Sequence, residues 1–284
     1  MKGIAAENSI HCETEYSALK RVIVVKPAFM KINEVINETQ KHYEETNIDI
    51  PLALNQHETF VNTLKEHQVD VCELPTEPDL PEQVFTRDIA FTIHDQLFIA
   101  SMGEEVRQSE TEILKSWLQK YGLPFQEGFS DSIEGGDVVI DGKTIWVGKS
   151  GRTSFSAIEE LQSLLPSYKI EPLSLTEDIL HLDCVFNIIS DDTALLYPPA
   201  FTSSDLSKIK SQFHIINVTE DEKFHMGPNV LSIGNKKIIS LSQNERLNSE
   251  LESHGYTVIS VDFSEIIKSG GAFRCCTLPL QRQE

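Results

Sequence analysis

The segment DVVIDGKTIWV, residues 137–147, consists of two runs rich in β-branched and aromatic residues on either side of Asp141-Gly142. An Asp-Gly pair between two such runs favours a tight turn in which both residues adopt positive φ, so the segment predicts a β-hairpin. Three further segments have the same form, with a two-residue turn at the centre: AFTIHDQLFIA from Ala90, VFNIISDDTALLY from Val185 and NVLSIGNKKIISL from Asn229.

The hairpins recur at a nearly constant interval along the chain. Their equivalent positions, Phe91, Val138, Val185 and Val230, lie about 46 residues apart, which is within the range of structural repeats. One more interval beyond Val230 reaches Cys275. Each hairpin is followed by a helical pattern and by another strand, and these third strands are predicted at PFQEGF, YKIEPLSL, HIINVT and YTVISVDF. The repeating unit is therefore predicted to be ββαβ.

The first unit is incomplete. LKRVIVVKP, residues 19–27, and VDVCELP, residues 69–75, are predicted strands separated by a helical region, but the opening strand of the hairpin is missing. The segment CCTLPL, residues 275–280, is predicted to supply it, because an array of repeats closes into a ring when its last strand completes the first unit. The expected fold is a five-bladed α/β propeller with pseudo-fivefold symmetry, a single domain over residues 1–284. The alternative is an ordinary α/β sandwich in which the regular spacing is accidental.

The composition restricts the classes of partner. The chain has 284 residues, of which 40% are hydrophobic and 24% charged, and its formal charge of -20 argues against nucleic acid and anionic membranes as partners. The opening residues lack the apolar core of a signal peptide, and no stretch approaches the roughly 18 apolar residues of a membrane span, so the cytoplasm is the expected location. The five cysteines are scattered without a C-x-x-C pair, which suggests neither a disulfide framework nor a zinc ribbon.

The positions just before the hairpins carry chemically active side chains. If the units are related by rotation, these side chains converge on the axis; they are Asp88, Glu134, Asp137, His181, Asp183 and Asn229, with Cys275 as the fifth equivalent. A thiolate is a competent nucleophile, and histidine can lower the pKa of a neighbouring thiol and transfer a proton. Carboxylates on both sides would select a planar cation with several N–H donors, and a guanidinium fits that description.

Each residue also has a purely structural interpretation. Cys275 could be a small buried hydrophobic residue, as free cysteines often are, and Cys276 is expected to point the opposite way because side chains alternate along a strand. The glycine pairs 135–136 and 270–271 could simply form turns. His181, Asp183 and Cys184 imitate a set of metal ligands, but the same alternation predicts that Cys184 points away from the other two. No metal and no organic cofactor is therefore expected.

The motifs resemble those of the guanidino-group-modifying enzymes of the pentein superfamily over nearly the whole chain. The matching segments are FTRD, 85–88; EGGD, 134–137; HLD, 181–183; and GGAFRC, 270–275. Within that superfamily the chain looks closest to the dimethylarginine dimethylaminohydrolases. The resemblance implies Cys275, His181 and Glu134 as catalytic residues. The implied substrate-binding residues are Phe85, Asp88, Asp137, Asp183 and Asn229, together with Arg107 and Arg152, which would hold the substrate α-carboxylate.

Two positions depart from the dimethylarginine pattern. Arg87 and Asp183 resemble the arginine deiminases and amidinotransferases, so the expected substrate is arginine or an N-methylated arginine. The predicted reaction is hydrolysis to citrulline and ammonia or an amine through an amidino group on sulfur. The alternatives are arginine deimination or amidino transfer at the same site, or a non-catalytic binding protein of the same fold. The oligomeric state stays open, and residues 26–46 are a candidate lid without an interpretable motif.

Overall fold

The computed structural model describes residues 10–283, which contain seven helices and fourteen strands. In chain order these are β1 Ala18–Val24, α1 Glu38–Tyr43, α2 Ile50–Glu66, β2 Asp70–Glu73, β3 Ala90–Ile93, β4 Gln96–Ile99, α3 Glu110–Tyr121, β5 Val138–Asp141, β6 Thr144–Lys149, α4 Phe155–Leu164, β7 Lys169–Ser174, β8 Phe186–Ile188, β9 Thr193–Leu196, α5 Ser203–Lys210, β10 His214–Asn217, α6 Glu220–Phe224, β11 Leu231–Gly234, β12 Lys237–Leu241, α7 Glu245–Ser253, β13 Thr257–Val261 and β14 Leu278–Gln283. The predicted α/β class is confirmed.

All four predicted hairpins are present as antiparallel pairs: β3 with β4, β5 with β6, β8 with β9, and β11 with β12. In three of the units a helix follows the hairpin, and the next strand then joins the sheet parallel to the second hairpin strand; these strands are β7, β10 and β13. Parallel pairing needs such a crossover connection, which the predicted helices supply. The turn of the β5–β6 hairpin differs from the prediction: Asp141 pairs with Thr144, so Gly142 and Lys143 form its centre, and of these residues Gly142 alone has a positive φ, of 57°.

The predicted strand PFQEGF, residues 124–129, is wrong. The sheet of β3 and β4 has two strands, and the segment contributes only an isolated bridge between Phe98 and Gln126. Pro124 has no N–H for a ladder, and Gly128 has φ 105°, so the backbone cannot extend the pairing in either direction.

The predicted closure of the first unit is confirmed. Strand β14 pairs antiparallel with β1, and β1 pairs parallel with β2. The strand begins at Leu278, later than predicted, and Cys275 and Cys276 lie in the turn that precedes it. The two cysteines are therefore not on a strand, and the prediction that strand alternation points their side chains in opposite directions does not apply.

A short turn precedes each hairpin, and a turn also precedes β14. Three are 3-10 turns, at Gly135–Asp137, Leu182–Cys184 and Gly227–Asn229. Hydrogen bonds link the five turns in a closed cycle: Gly135 N to Asp88 O, Leu182 N to Asp137 Oδ1, Asn229 Nδ2 to Asp183 O, Cys275 N to Asn229 Oδ1, and Arg87 N to Cys275 O. The cycle brings together the side chains that the repeat spacing predicted to converge.

Aromatic packing seats the turn that carries Cys275. Phe273 stacks on Phe263 with ring centroids 4.5 Å apart and contacts Phe60 of α2 at 5.2 Å. All three rings are buried, so burial of apolar surface holds this turn against α2. No helix among residues 10–283 combines the length and apolar character needed to cross a membrane.

Candidate active site

A small pocket lies at one side of the cycle of turns. Its lining combines a thiol, an imidazole, two carboxylates and two guanidinium groups; the residues are Ile36, Asn37, Glu82, Phe85, Asp88, Arg107, Arg152, Leu180, His181, Ser269, Gly270, Gly271 and Cys275. Six of the ten predicted site residues line it. The other four, Glu134, Asp137, Asp183 and Asn229, lie behind it and contact the lining residues or their supporting turns.

Cys275 is held by Asn229. The Asn229 side-chain amide donates to Cys275 Sγ at 3.0 Å, and its Oδ1 accepts from the backbone N–H groups of Ala272 and Cys275. Asn229 was predicted to bind substrate, but all of these bonds go to the turn of Cys275. In this structure its side chain holds the turn and the sulfur of Cys275 in place.

Asp183 lies on the other side of the sulfur, with Cys275 Sγ 3.5 Å from Oδ2. The hydrogen bond to the Cys184 side chain, burial and the charge of Asp183 together raise the pKa of the Cys275 thiol well above its usual value. The prediction that Cys184 points away is wrong, because residues 182–184 form a 3-10 turn rather than a strand. The raised pKa favours the protonated thiol of Cys275 at neutral pH.

His181 is held between two carboxylates. Nε2 lies 2.7 Å from Glu134 Oε2, and Nδ1 lies 3.6 Å from Asp88 Oδ1. Gly136 makes this packing possible, since a Cβ at this position would come within 2.7 Å of the imidazole and 2.8 Å of Asp88. The second glycine of the EGGD motif is thus required because a side chain there would collide with the imidazole.

The charges around His181 keep it protonated. Burial disfavours the imidazolium, but Asp88, Glu134 and Asp137 outweigh that penalty and raise the pKa of His181 to about 10. Burial likewise disfavours the Glu134 carboxylate, but the hydrogen bond and charge of His181 dominate and lower the pKa of Glu134 to about 2. The pair is an imidazolium and a carboxylate at neutral pH, so His181 can donate a proton.

Asp88 has one oxygen that is hydrogen-bonded inside the protein and one that accepts no hydrogen bond and has the imidazole of His181 3.6 Å away. Its Oδ2 accepts from Arg107 Nη1 at 2.6 Å, while Oδ1 is buried and makes no hydrogen bond among the described residues. Arg107 also donates to both oxygens of Glu110. A substrate carboxylate would have to displace these acceptors, so the structure does not support the predicted role of Arg107 and gives it the task of holding Asp88.

Arg152 fits the predicted contact to a carboxylate better. Its Nη2 donates to the Ile36 carbonyl, but Nη1 is buried without a hydrogen-bond partner among residues 10–283 and lies 3.7 Å from Glu134 Oε1. The guanidinium lines the pocket. One edge of Arg152 is therefore able to accept a new anionic partner.

Asp137 does not line the pocket. Its Oδ1 accepts from the backbone of Leu182, and its Oδ2 accepts from Ser150 Oγ at 2.6 Å. Burial raises the pKa of this carboxyl to about 6. Its predicted substrate contact is not supported, because the carboxyl instead ties the turn of His181 to the neighbouring sheet.

Arg274 is a residue that sequence reasoning missed. It is buried next to Cys275 in the chain, donates to Asp183 Oδ2 at 2.6 Å and bonds Glu15 at 3.0 Å. One oxygen of Asp183 is therefore already bound to the guanidinium of Arg274, whereas Asp183 was predicted to bind the substrate cation. The only signal for Arg274 was its place in the GGAFRC motif, and Glu15 had none because it lies 259 positions away.

The candidate lid contacts the pocket through a buried cluster. Gln40 of α1 donates to Glu82 Oε1 and to Ser269 Oγ, each at 2.8 Å, and Asn37 Nδ2 donates to the Ser269 carbonyl. Burial raises the pKa of Glu82 to about 7. We call Gln40, Glu82 and Ser269 the latch; it joins the segment 36–40 to the turn before Cys275.

Comparison with known proteins gives a consistent result. A family model described as N,N dimethylarginine dimethylhydrolase, eukaryotic, matches residues 26–282. The chain is 50% identical over 273 residues to the uncharacterized protein YkgA of Bacillus subtilis, with 96% of each chain covered. It is 26% identical over 265 residues to the N(G),N(G)-dimethylarginine dimethylaminohydrolase of Mycobacterium tuberculosis, with 92% of this chain and 86% of that protein covered.

Among solved structures, the N-terminal domain of ArgZ, an arginine dihydrolase from cyanobacteria, matches with a TM-score of 0.85 and 24% identity. The match covers 92% of this chain and 97% of that domain. At this identity the similarity shows a shared fold.

Proposed function

Because the chain belongs to the N,N dimethylarginine dimethylhydrolase family, within the guanidino-group-modifying pentein superfamily, we propose that it hydrolyses a guanidinium C–N bond of arginine or an N-methylated arginine. One observation carries the proposal. The Oδ1 atom of Asp88, which accepts no hydrogen bond among the described residues, lies in the same pocket as the thiol of Cys275 and the protonated imidazole of His181. A buried acceptor without a partner is costly, and a cationic N–H donor would satisfy it.

Substrate binding would use both ends of the pocket. Asp88 Oδ1 accepts an N–H of the guanidinium, and the Asp183 carboxylate beside Cys275 favours the positive carbon near the sulfur. Arg152 Nη1 receives the α-carboxylate of the same molecule. The pocket is small in this structure, so a molecule the size of arginine enters after the segment 36–40 moves.

The first half of the reaction forms a bond to sulfur. The arriving cation favours the thiolate of Cys275 electrostatically, and the thiol proton passes to water. The thiolate attacks the guanidinium carbon, and the C–N bond breaks as His181 donates its proton to the departing ammonia or amine. The amidino group is then attached to Cys275, and His181 is neutral while Glu134 still holds its Nε2.

The second half releases the product. Neutral His181 takes a proton from a water molecule, and the resulting hydroxide attacks the amidino carbon. The C–S bond breaks, Cys275 regains its electron pair, the proton of the attacking hydroxyl group passes to water, and a ureido product such as citrulline leaves. Each group returns to its starting state except for the proton on the thiol, which water supplies.

We also propose that the chain forms one catalytic domain, in which the five sheets are the blades of a closed α/β propeller. The closed cycle of hydrogen-bonded turns supports this arrangement. So does the spacing of the bonded pairs, since His181 and Glu134 are 47 positions apart and Cys275 and Asn229 are 46 apart.

The experiment is a substrate panel. Purified protein is incubated with arginine, monomethylarginine, dimethylarginine and agmatine, and both the ureido product and the released ammonia or amine are measured. Equal amounts of ureido product and amine or ammonia are expected for at least one substrate. Amidine transfer to an added amine, without ureido product, would replace the hydrolase by an amidinotransferase. Tight binding of these compounds by the wild-type chain without any turnover would refute catalysis.

A further inference from the structure

Three side chains with metal-ligand chemistry meet outside the active-site pocket. They are His11, Glu13 and His94, and their donor atoms all lie within 4.8 Å of one another. Glu13 Oε1 is 3.1 Å from Nε2 of His94 and 3.6 Å from Nε2 of His11. Two ligand atoms that each lie about 2.0–2.2 Å from a tetrahedral zinc ion are about 3.3–3.6 Å apart. The three groups are thus already near the spacing that a shared ion requires.

The backbone holds the three residues in place. Cys12 and His94 exchange two backbone hydrogen bonds, of 2.8 and 2.7 Å, so the segment 11–13 runs antiparallel beside the turn between β3 and β4. The thiol of Cys12 points inward to the Pro279 carbonyl, and alternation along an extended backbone places His11 and Glu13 on the opposite side. His94 occupies the turn with φ 53°.

The chemistry suits a divalent cation of borderline softness. Two imidazoles and one carboxylate form a common zinc set, and side-chain exposures of 37–38% leave the fourth position open to water. Among the described residues, the ion pairs of Glu13 are with these two histidines, so no arginine or lysine there competes for the site.

The second cluster of this kind differs in that respect. Asp88, Glu134 and His181 also lie within 4.8 Å of one another, but they form part of the catalytic pocket. Arg107 is bound to Asp88 and Arg152 lies beside Glu134, so fixed positive charge already occupies that site. The carboxylates of that cluster therefore already have arginine partners, whereas the ion pairs of Glu13 among the described residues are with the two histidines alone.

We propose that His11, Glu13 and His94 form a zinc site that fastens the segment 11–13 to the turn of the β3–β4 hairpin. The segment also bonds β14, because His11 N donates to Leu280 O and Arg282 N donates to His11 O. A bound ion would therefore join three parts of the chain: the segment before β1, the hairpin and the closing strand. The site lies apart from the chemistry, and its effect is on stability.

Zinc binding is measured by calorimetry on the full chain after removal of metal with a chelator. All proteins carry Cys275→Ser, which removes the strongest zinc ligand of the catalytic pocket. The test variant is His94→Asn, because asparagine tolerates the positive φ at this turn while losing the imidazole. The matched control is His67→Asn, a partly exposed histidine at the end of α2. Circular dichroism checks that each variant is folded.

The parent and His67→Asn should bind about one zinc ion per chain, with affinity reduced at least tenfold in His94→Asn and in Glu13→Gln. Zinc should raise the Tm of the parent by a few degrees and leave that of His94→Asn unchanged. Cobalt should give a visible absorption band in the parent that disappears in the test variants. Unchanged zinc affinity in folded His94→Asn would overturn the proposal. A loss of binding confined to His254→Asn would do so too, by assigning the ion to the exposed pair His214 and His254.

Discussion

The side-chain amide of Asn229 contacts Cys275 at both its sulfur and its backbone N–H, at 3.0 Å in each case. One residue thus fixes the position of Cys275, the proposed nucleophile, and donates a hydrogen bond to its sulfur that favours the thiolate form. The same side chain bonds the Ala272 N–H, so the whole turn depends on it.

Asn229→Ala should lower kcat by about 100-fold, because a small displacement of the nucleophile has a large kinetic cost. The loss of four buried hydrogen bonds should also lower the free energy of unfolding by about 1–3 kcal/mol. Denaturant unfolding and the rate of Cys275 alkylation measure these effects. If Asn229 acted on the substrate rather than on the thiol, the alkylation rate without substrate would stay unchanged.

Cys275→Ala should abolish turnover, whereas Cys276→Ala should retain most of it. Both cysteines are buried in the same turn, which makes the two variants a matched pair. Cys275 lines the pocket, and Cys276 packs in the apolar cluster beneath it. Mass spectrometry should detect an amidino adduct on Cys275 alone during turnover. Activity that survives in Cys275→Ala would refute the assignment of the nucleophile.

Gly136→Ala should reduce kcat by more than about 100-fold, because the new Cβ would displace the imidazole of His181. Gly151→Ala is the control, since a Cβ there meets no atom within 4 Å. Both variants are compared in steady-state kinetics and thermal unfolding. Equal activity of the two would show that His181 tolerates displacement and so does not donate the proton.

Glu134→Gln should move the alkaline limb of the kcat profile to lower pH. Glu134 is one of the groups that raise the pKa of His181 to about 10, so its neutral replacement stabilises the imidazolium less. A pH–rate profile of each protein measures the shift. An unchanged limb would mean that another acid protonates the leaving group.

The ion pair between His181 and Glu134 predicts how the free energy of unfolding varies with pH. The raised pKa of His181 contributes stability that is complete below about 6.5 and is lost as pH rises through about 10. The lowered pKa of Glu134 contributes stability that is complete above about 4.5 and is lost as pH falls through about 2. The stability difference between wild type and Glu134→Gln should therefore be greatest between about pH 4.5 and 6.5. Denaturant titrations across that range test it, and a difference independent of pH would contradict it.

Gln40→Ala should raise KM by about tenfold with a smaller change in kcat, because the loss of two buried hydrogen bonds opens the latch before substrate is held. Lys41→Ala, at an exposed position of the same helix, is the control and should leave both constants unchanged. An effect confined to kcat would place Gln40 in the chemical step instead.

Local patterns predicted much of this fold. The four hairpins follow from alternating apolar residues and their turns, and the partner of β1 follows from the repeat interval. The strand predicted at PFQEGF is absent because its proline and a glycine with positive φ outweigh the strand preference of its aromatic residues. The predicted direction of the Cys184 side chain was wrong for a related reason: residues 182–184 form a 3-10 turn, whereas the prediction assumed the alternation of a strand.

The site was predictable in its members but not in their pairings. Cys275, His181 and Asp88 meet in one pocket as the motifs implied. The partners that determine their charge do not follow any local pattern. Asp88 with Arg107 and Asp183 with Arg274 are tertiary ion pairs, in which an arginine from elsewhere in the chain compensates a buried carboxylate.

The pairing of β1 with β14 also determines when activity can appear during folding. Contacts between such distant parts of the chain give a high contact order, and closing so long a loop is entropically slow. Cys275, the proposed nucleophile, lies in the turn just before the strand that closes this loop, so we expect its pocket to be assembled late in folding. After dilution from denaturant, catalytic activity should consequently recover more slowly than the circular dichroism signal of the helices. The rate at which turnover returns would then measure the last stage of refolding.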